Sequence, residues 1–194
     1  MAIRGGSVIG FTQCCAGGPR RSNLLDVPVQ GSPEADTAMP RIDPACVPIY
    51  AGSSYPKPHD APCAGRRALR LAAAAGLSQF GVNLLTLDPG VWSSQRHWHS
   101  HEDEFVYVLG GEVVLVTDDG EETLRTGDSV GFKAGDRNGH HFQNRSATPA
   151  QLLIVGSRHD ADQGEYSDID MQFLPGRYSG GGGYRRKDGS EFEP

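Results

Sequence analysis

The sequence has no apolar run near the ~20 residues that cross a bilayer, so a membrane-spanning helix is not expected. Its first residues also show no charged stretch leading into an apolar segment and a cleavage site, and a cytoplasmic protein is the expectation. Basic excess is missing too. The 18 Lys and Arg are outweighed by 24 Asp and Glu, giving a formal net charge of −6, and no basic face able to neutralise a phosphate backbone can be assembled from scattered cations. Nucleic acid is therefore excluded as an expected partner. Cysteine is scarce: Cys14, Cys15, Cys46 and Cys63 form no C-x-x-C pair, and adjacent Cys14 and Cys15 could bond to each other only with strain. Neither a disulfide framework nor a thiolate zinc site is expected.

A chain of 194 residues suits one well-buried domain with extensions. Residues 1–38 hold no apolar period and are broken every few positions by Gly, Pro and Ser, which predicts a disordered extension. Met39 opens the proline-rich "MPRIDPACVPIYAGSSYPKP", an extended arm, and is itself a candidate functional start. "RRALRLAAAAGL", Arg66 to Leu77, is alanine-rich and closes on Gly76, predicting a short helix with Arg66, Arg67 and Arg70 on its solvated face. An arm and helix over 39–77 thus lead into the main domain.

From residue 78 the pattern is that of strands. "FGVNLLTL" (80–87) ends at "DPG"; "EFVYVL" (104–109) meets Gly110-Gly111; "EVVLVT" (112–117) stops at "DDG". Further strands are predicted over 121–125, 129–132, 140–144 and 150–157. Short strands with frequent turns and no helical period between them indicate an all-β sandwich or small barrel over 78–160. Residues 161–194 read as a C-terminal arm with one strand around Ile169 to Leu174, followed by a flexible joint at Gly180 to Gly183.

"RHWHSHEDEFVYVLGGE" (96–112) carries the chemistry. In a strand, residues i and i+2 share a face, so His97 and His99 can converge on one ion with Trp98 turned away. Glu104 follows at the start of the next strand and adds a carboxylate. About forty residues on, "GHHFQN" offers His140 or His141 to complete the shell, with Asn144 on the same face as His140. By the same parity, Val106, Val108, Phe142 and Asn144 should line the ligand pocket. His101 reads as a surface residue, and Glu102 and Asp103 as a solvated turn of which one member could fix a ligating imidazole. Trp92, Trp98, Phe105 and Tyr107 are expected in the core or between subunits.

These two stretches resemble the cupin superfamily. Its first motif is matched by Gly90, His97, His99, Glu104 and Gly111, and its second by Gly127, Gly135, His140 and Asn144. Lys133 stands where the family usually has proline, and two extra residues separate Gly135 from His140; the spacing to Asn144 favours His140 over His141 as ligand. The upstream "YPKP", downstream "YSDIDM" and closing "YRRKDG" look like single-domain bacterial cupins. The resemblance implies an all-β, double-stranded β-helix barrel of jelly-roll type. It also implies one divalent metal ion (Fe, Mn, Zn, Ni or Co) held by His97, His99, Glu104 and His140, and a homodimer.

An octahedral shell of three imidazoles and a carboxylate leaves two positions open. The expected function is then a metal-dependent enzyme acting on a small oxygen-bearing metabolite, as a dioxygenase or as an isomerase or lyase. The alternative is a non-catalytic small-molecule binding or sensing barrel. A sugar phosphate would need cations aimed inward; Arg96, Arg125, Lys133, Arg137 and Arg145 are near in sequence, with nothing local to place them inside.

Overall fold

The computed structural model describes residues 41–193, so the extension at 1–38, Met39, and the Cys14 and Cys15 pair lie outside the described residues. Besides two 3-10 turns (Pro44–Cys46 and Ala61–Cys63), twelve strands and one α-helical turn follow in order: β1 (Ile49–Ala51), β2 (Arg67–Arg70), α1 (Leu71–Ala74), β3 (Phe80–Leu87), β4 (Glu104–Gly110), β5 (Glu112–Thr117), β6 (Gly120–Arg125), β7 (Ser129–Phe132), β8 (His141–Gln143), β9 (Ala150–Ser157), β10 (Gly164–Glu165), β11 (Gln172–Phe173) and β12 (Tyr184–Arg185).

All pairings are antiparallel. One sheet runs β1-β2-β3-β9-β4-β7, a second β6-β5-β8, and a third β10-β11-β12. The first two face each other across the core as the layers of a jelly roll, formed by Leu85, Leu87, Val106, Val108, Val113, Leu115, Leu124, Phe142, Ala150 and Leu152. Burying each of the larger of these side chains contributes about 1.5–3 kcal/mol.

Alternation along β4 sets the rest. Glu104, Val106 and Val108 point inward, while Phe105, Tyr107 and Leu109 remain 44%, 37% and 42% exposed. Of the two places expected for Phe105 and Tyr107, the core and a subunit contact, the core is excluded: strand parity that buries Glu104 turns them out. At the β4–β5 turn, Gly111 has φ +77°, and a Cβ there would stand 2.8 Å from the Pro149 carbonyl oxygen, so the hairpin needs glycine.

Three expectations outside the barrel change. The helix predicted over Arg66 to Leu77 is only Leu71–Ala74, because Arg67–Arg70 pairs with both β1 and β3 and ladder bonding outweighs weak local helix propensity. Arg66 donates to the Gly52 carbonyl at 2.8 Å and to that of Ser93, and Arg70 lies 4.0 Å over the Tyr50 ring, so these are not a solvated helix face. Gly180 to Gly183 form a closed turn in place of a joint: Gly181 N–H reaches the Gly176 carbonyl at 2.8 Å and Leu174 N–H that of Gly183 at 3.0 Å, which returns β12 onto β11. No helix among the described residues is long and apolar enough to cross a membrane.

Candidate metal centre

His97 and His140 face each other across an antiparallel bridge, with N–H to carbonyl bonds of 3.2 and 2.9 Å in the two directions. His99 lies two residues on, its ring centroid 4.9 Å from that of His97. Glu104 opens β4 between Phe132 of β7 and Gly156 of β9. A donor atom from each of His97, His99 and Glu104 lies within 4.8 Å of the others. Donors bound to one ion at about 2.1 Å stand at most about 4.2 Å apart, so small adjustments bring these three to a common point. The fourth group is close: His140 Nε2 is 3.6 Å from Glu104 Oε1.

Hydrogen bonding settles which nitrogen each ring presents. Nδ1 of His97 is 2.9 Å from the Gln95 carbonyl, and Nδ1 of His99 is 2.7 Å from Asp162 Oδ2. Both acceptors lack a proton to give, so both Nδ1 atoms carry hydrogen, which leaves Nε2 as the nitrogen each ring offers to an ion. Neutral imidazole is also what burial favours: desolvation first, then the neighbouring His99 and His140, hold His97 well below the ordinary histidine value. For Glu104, burial works to raise the carboxyl, but the neighbouring His140, 3.6 Å away, and then His97 and His99 outweigh it and bring it to about 2.

His140 is the telling member. It is 2% exposed, stacks on Phe132 at 3.5 Å between ring centroids, and has no hydrogen-bond partner at either ring nitrogen. A buried polar group without a partner costs about 1–3 kcal/mol, and a cation accepting its lone pair would relieve that cost. The donor set fits a divalent metal. His141 points elsewhere: its Nδ1 meets the Ser94 carbonyl at 3.0 Å, its Nε2 meets Gln143 at 2.9 Å, and Trp92 packs edge-on against it.

Behind His99 stands a network that local sequence pattern did not reveal. Asp162 is fully buried; besides His99 it accepts from the His101 N–H at 2.9 Å and from Arg177 at 2.7 Å. Burial tends to raise its carboxyl, yet these donors, His99 foremost, keep it below the usual range. The same Arg177 nitrogen bonds Glu102 at 2.7 Å, and Glu102 further accepts from Tyr178 Oη–H and the His159 N–H, each at 2.9 Å. Glu102 is thus buried and saturated, not part of a solvated turn; only Asp103, whose carboxylate caps the Ala134 N–H at 2.7 Å, stays exposed. His101 is exposed and stacks on His159. Trp98 lies under Arg137.

A cavity of about 330 Å³ opens beside these groups, bordered by His99, His140, Phe132, Leu115 and Val130 and by several charged residues. Val106, Val108, Phe142 and Asn144 are not among its lining. The first three belong to the hydrophobic core beneath it, and Asn144 spends its amide on the Leu87 and Thr148 carbonyls, each at 2.8 Å, tying the β8–β9 loop. Inward parity places a side chain in the core or in the cavity without distinguishing the two, which is why the four looked like pocket residues.

Comparison with known proteins agrees with this architecture. Residues 83–156 match the model of the Cupin domain family. A solved structure from Silicibacter pomeroyi, described as a sugar phosphate isomerase from the cupin superfamily, is 46% identical. The match covers 79% of this chain and 97% of that one, with a TM-score of 0.75. A candidate sugar phosphate isomerase from Acidithiobacillus ferrooxidans is 26% identical over 67% of this chain and 81% of its own, with a TM-score of 0.59. Protein SchB of Streptomyces halstedii is 32% identical over 88 residues, 45% of this chain, and the chain spans 62% of that relative's length. With the barrel, both motifs and a relative matched over nearly its whole length, the chain belongs to the cupin superfamily.

Proposed function

We propose that the protein is a metal-dependent enzyme of the isomerase class, acting on a small hydroxylated carbonyl compound. The observation that carries this reading is the pair of buried, unpartnered nitrogens of His140 beside Glu104, on the wall of a ligand-sized cavity. His97, His99, Glu104 and His140 would hold the ion. When bound, it would polarise a carbonyl or hydroxyl oxygen of the ligand.

The chain's own groups supply the rest. Asp162 and Gln95 orient two of the imidazoles, Phe173 lies 5.2 Å from the His99 ring, and Phe132 covers the third, that of His140. Glu122 and Lys133 border the same cavity, so groups able to accept and to donate a proton face the ligand. A wall with titratable side chains favours chemistry over simple binding. The description of the Silicibacter pomeroyi relative as an isomerase supports the choice of reaction class.

The test is elemental analysis of the purified protein after exposure to Mn, Fe, Co, Ni and Zn salts, followed by NMR of aldoses and ketoses for interconversion. Stoichiometric metal and slow epimer or ketose formation are expected. Protein that takes up none of these ions refutes the proposal.

A further inference from the structure

A phosphorylated ligand needs convergent donors, arginine forks, ammonium groups or backbone N–H groups, around a dianion. Five cations lie near the barrel in sequence, and the structure commits four of them elsewhere. Arg96 holds Asp168 at 2.6 Å and also bonds Asp118. Arg125 lies 3.5 Å from Glu112, and Arg145 grips Glu121 through two bonds of 2.7 Å. Arg137 sits 5.1 Å over the Trp98 ring. Of the five, only Lys133 reaches the cavity.

Carboxylates share that lining: Glu102, Asp119, Glu122 and Asp136. Arg177 offsets Glu102, which leaves three acids against one ammonium. Asp119 and Asp136 are braced through Asn138, whose side-chain amide donates to Asp119 at 2.6 Å and whose backbone N–H donates to Asp136 at 3.0 Å. A shallower hollow alongside is bordered by Asp119, Glu121 and Glu122. These acids are more than a patch of surface, because His140, 2% exposed with both nitrogens unpartnered, opens on the same cavity.

We infer that the ligand carries no phosphate and is an uncharged or cationic polyhydroxy carbonyl compound, a free sugar or an amino sugar. Carboxylates accept hydrogen bonds from hydroxyl and ammonium groups and repel a phosphate. The inference rests on the isomerase reading above, and departs from the phosphorylated substrates in the names of the two relatives.

The experiment uses the full, metal-loaded chain with matched pairs, ribose against ribose 5-phosphate and glucose against glucose 6-phosphate, with glucosamine as the cationic member and inorganic phosphate as a separate titrant. The free or amino sugar should be turned over, each ester with kcat/KM lower by roughly tenfold or more. Glu122→Lys should bind inorganic phosphate more tightly than the wild type, with metal content unchanged. A preference for the esters overturns the inference and leaves the isomerase reading standing. If metal binds but no sugar reacts, the isomerase reading falls, and the titration still decides the charge preference: phosphate bound as tightly by wild type as by Glu122→Lys overturns it, and tighter binding by the variant supports it.

Discussion

His140 and His141 are consecutive, both are 2% exposed, and they do opposite things. His141 has each ring nitrogen matched to a protein partner and packs against Trp92. His140 has neither nitrogen matched and faces Glu104 at 3.6 Å. Burial is therefore no guide to role here; what separates a structural histidine from a prospective ligand is an unanswered lone pair. The strand geometry that sends neighbouring side chains to opposite faces makes the division possible within two residues.

The sharpest way to break the comparison is to delete each ring. His140→Ala, like His99→Ala or Glu104→Ala, is expected to lose most bound metal by elemental analysis. His141→Ala should keep it. If both histidine variants retained full metal, the contrast would be one of packing alone.

Next in size is the support behind His99. Asp162→Asn keeps the shape of the side chain but weakens the charged acceptor at Nδ1, and metal affinity should fall about 10–100-fold. Competition against a fluorescent chelator measures it, with the unfolding midpoint of the apo protein as a control on folding.

Stability should move the other way at the two positions. His141→Ala strands the Ser94 carbonyl and Gln143 and should destabilise by about 1–3 kcal/mol. His140→Phe removes an unanswered polar group beside Phe132 and should leave the metal-free protein as stable or up to about 1–3 kcal/mol more so. Urea unfolding of both variants checks the signs.

The smallest effect is the pH response of the metal-free protein. Burial, then His99 and His140, depress His97 well below the ordinary histidine value of 6.5, so below that pH the unfolded chain binds the proton more readily, and stability should decline as pH falls. Glu104 adds a second decline between about 4.5 and about 2, where the unfolded carboxyl protonates first. His141, also depressed chiefly by burial, acts in the same direction as His97. A urea midpoint that stayed flat from pH 7 to 4 would count against the buried, neutral imidazoles.

Alternation and turn residues made the barrel readable: β3, β5, β7 and β9 fall on their expected bounds, and β4 and β6 differ by one residue at an end. His97, His99, Glu104 and His140 could be picked out because two short motifs hold them at fixed spacing. Asp162, Arg177 and Tyr178 could not. They act on His99 and Glu102 from 63 to 76 residues away, in a stretch with no periodic pattern, and only tertiary contact shows their role. Arg67–Arg70 were hidden by the alanines after them, whose helical preference is local while the pairing with β1 and β3 is not.

The grip of Arg177 on Asp162 and Glu102 has a practical corollary. The family-matched span ends at residue 156, short of Asp162, Arg177 and the Tyr178 that joins them on Glu102. Transplanting that span alone into another scaffold would carry over all four prospective metal ligands and still deliver a poorly aimed His99, so the unit to move extends through Tyr178.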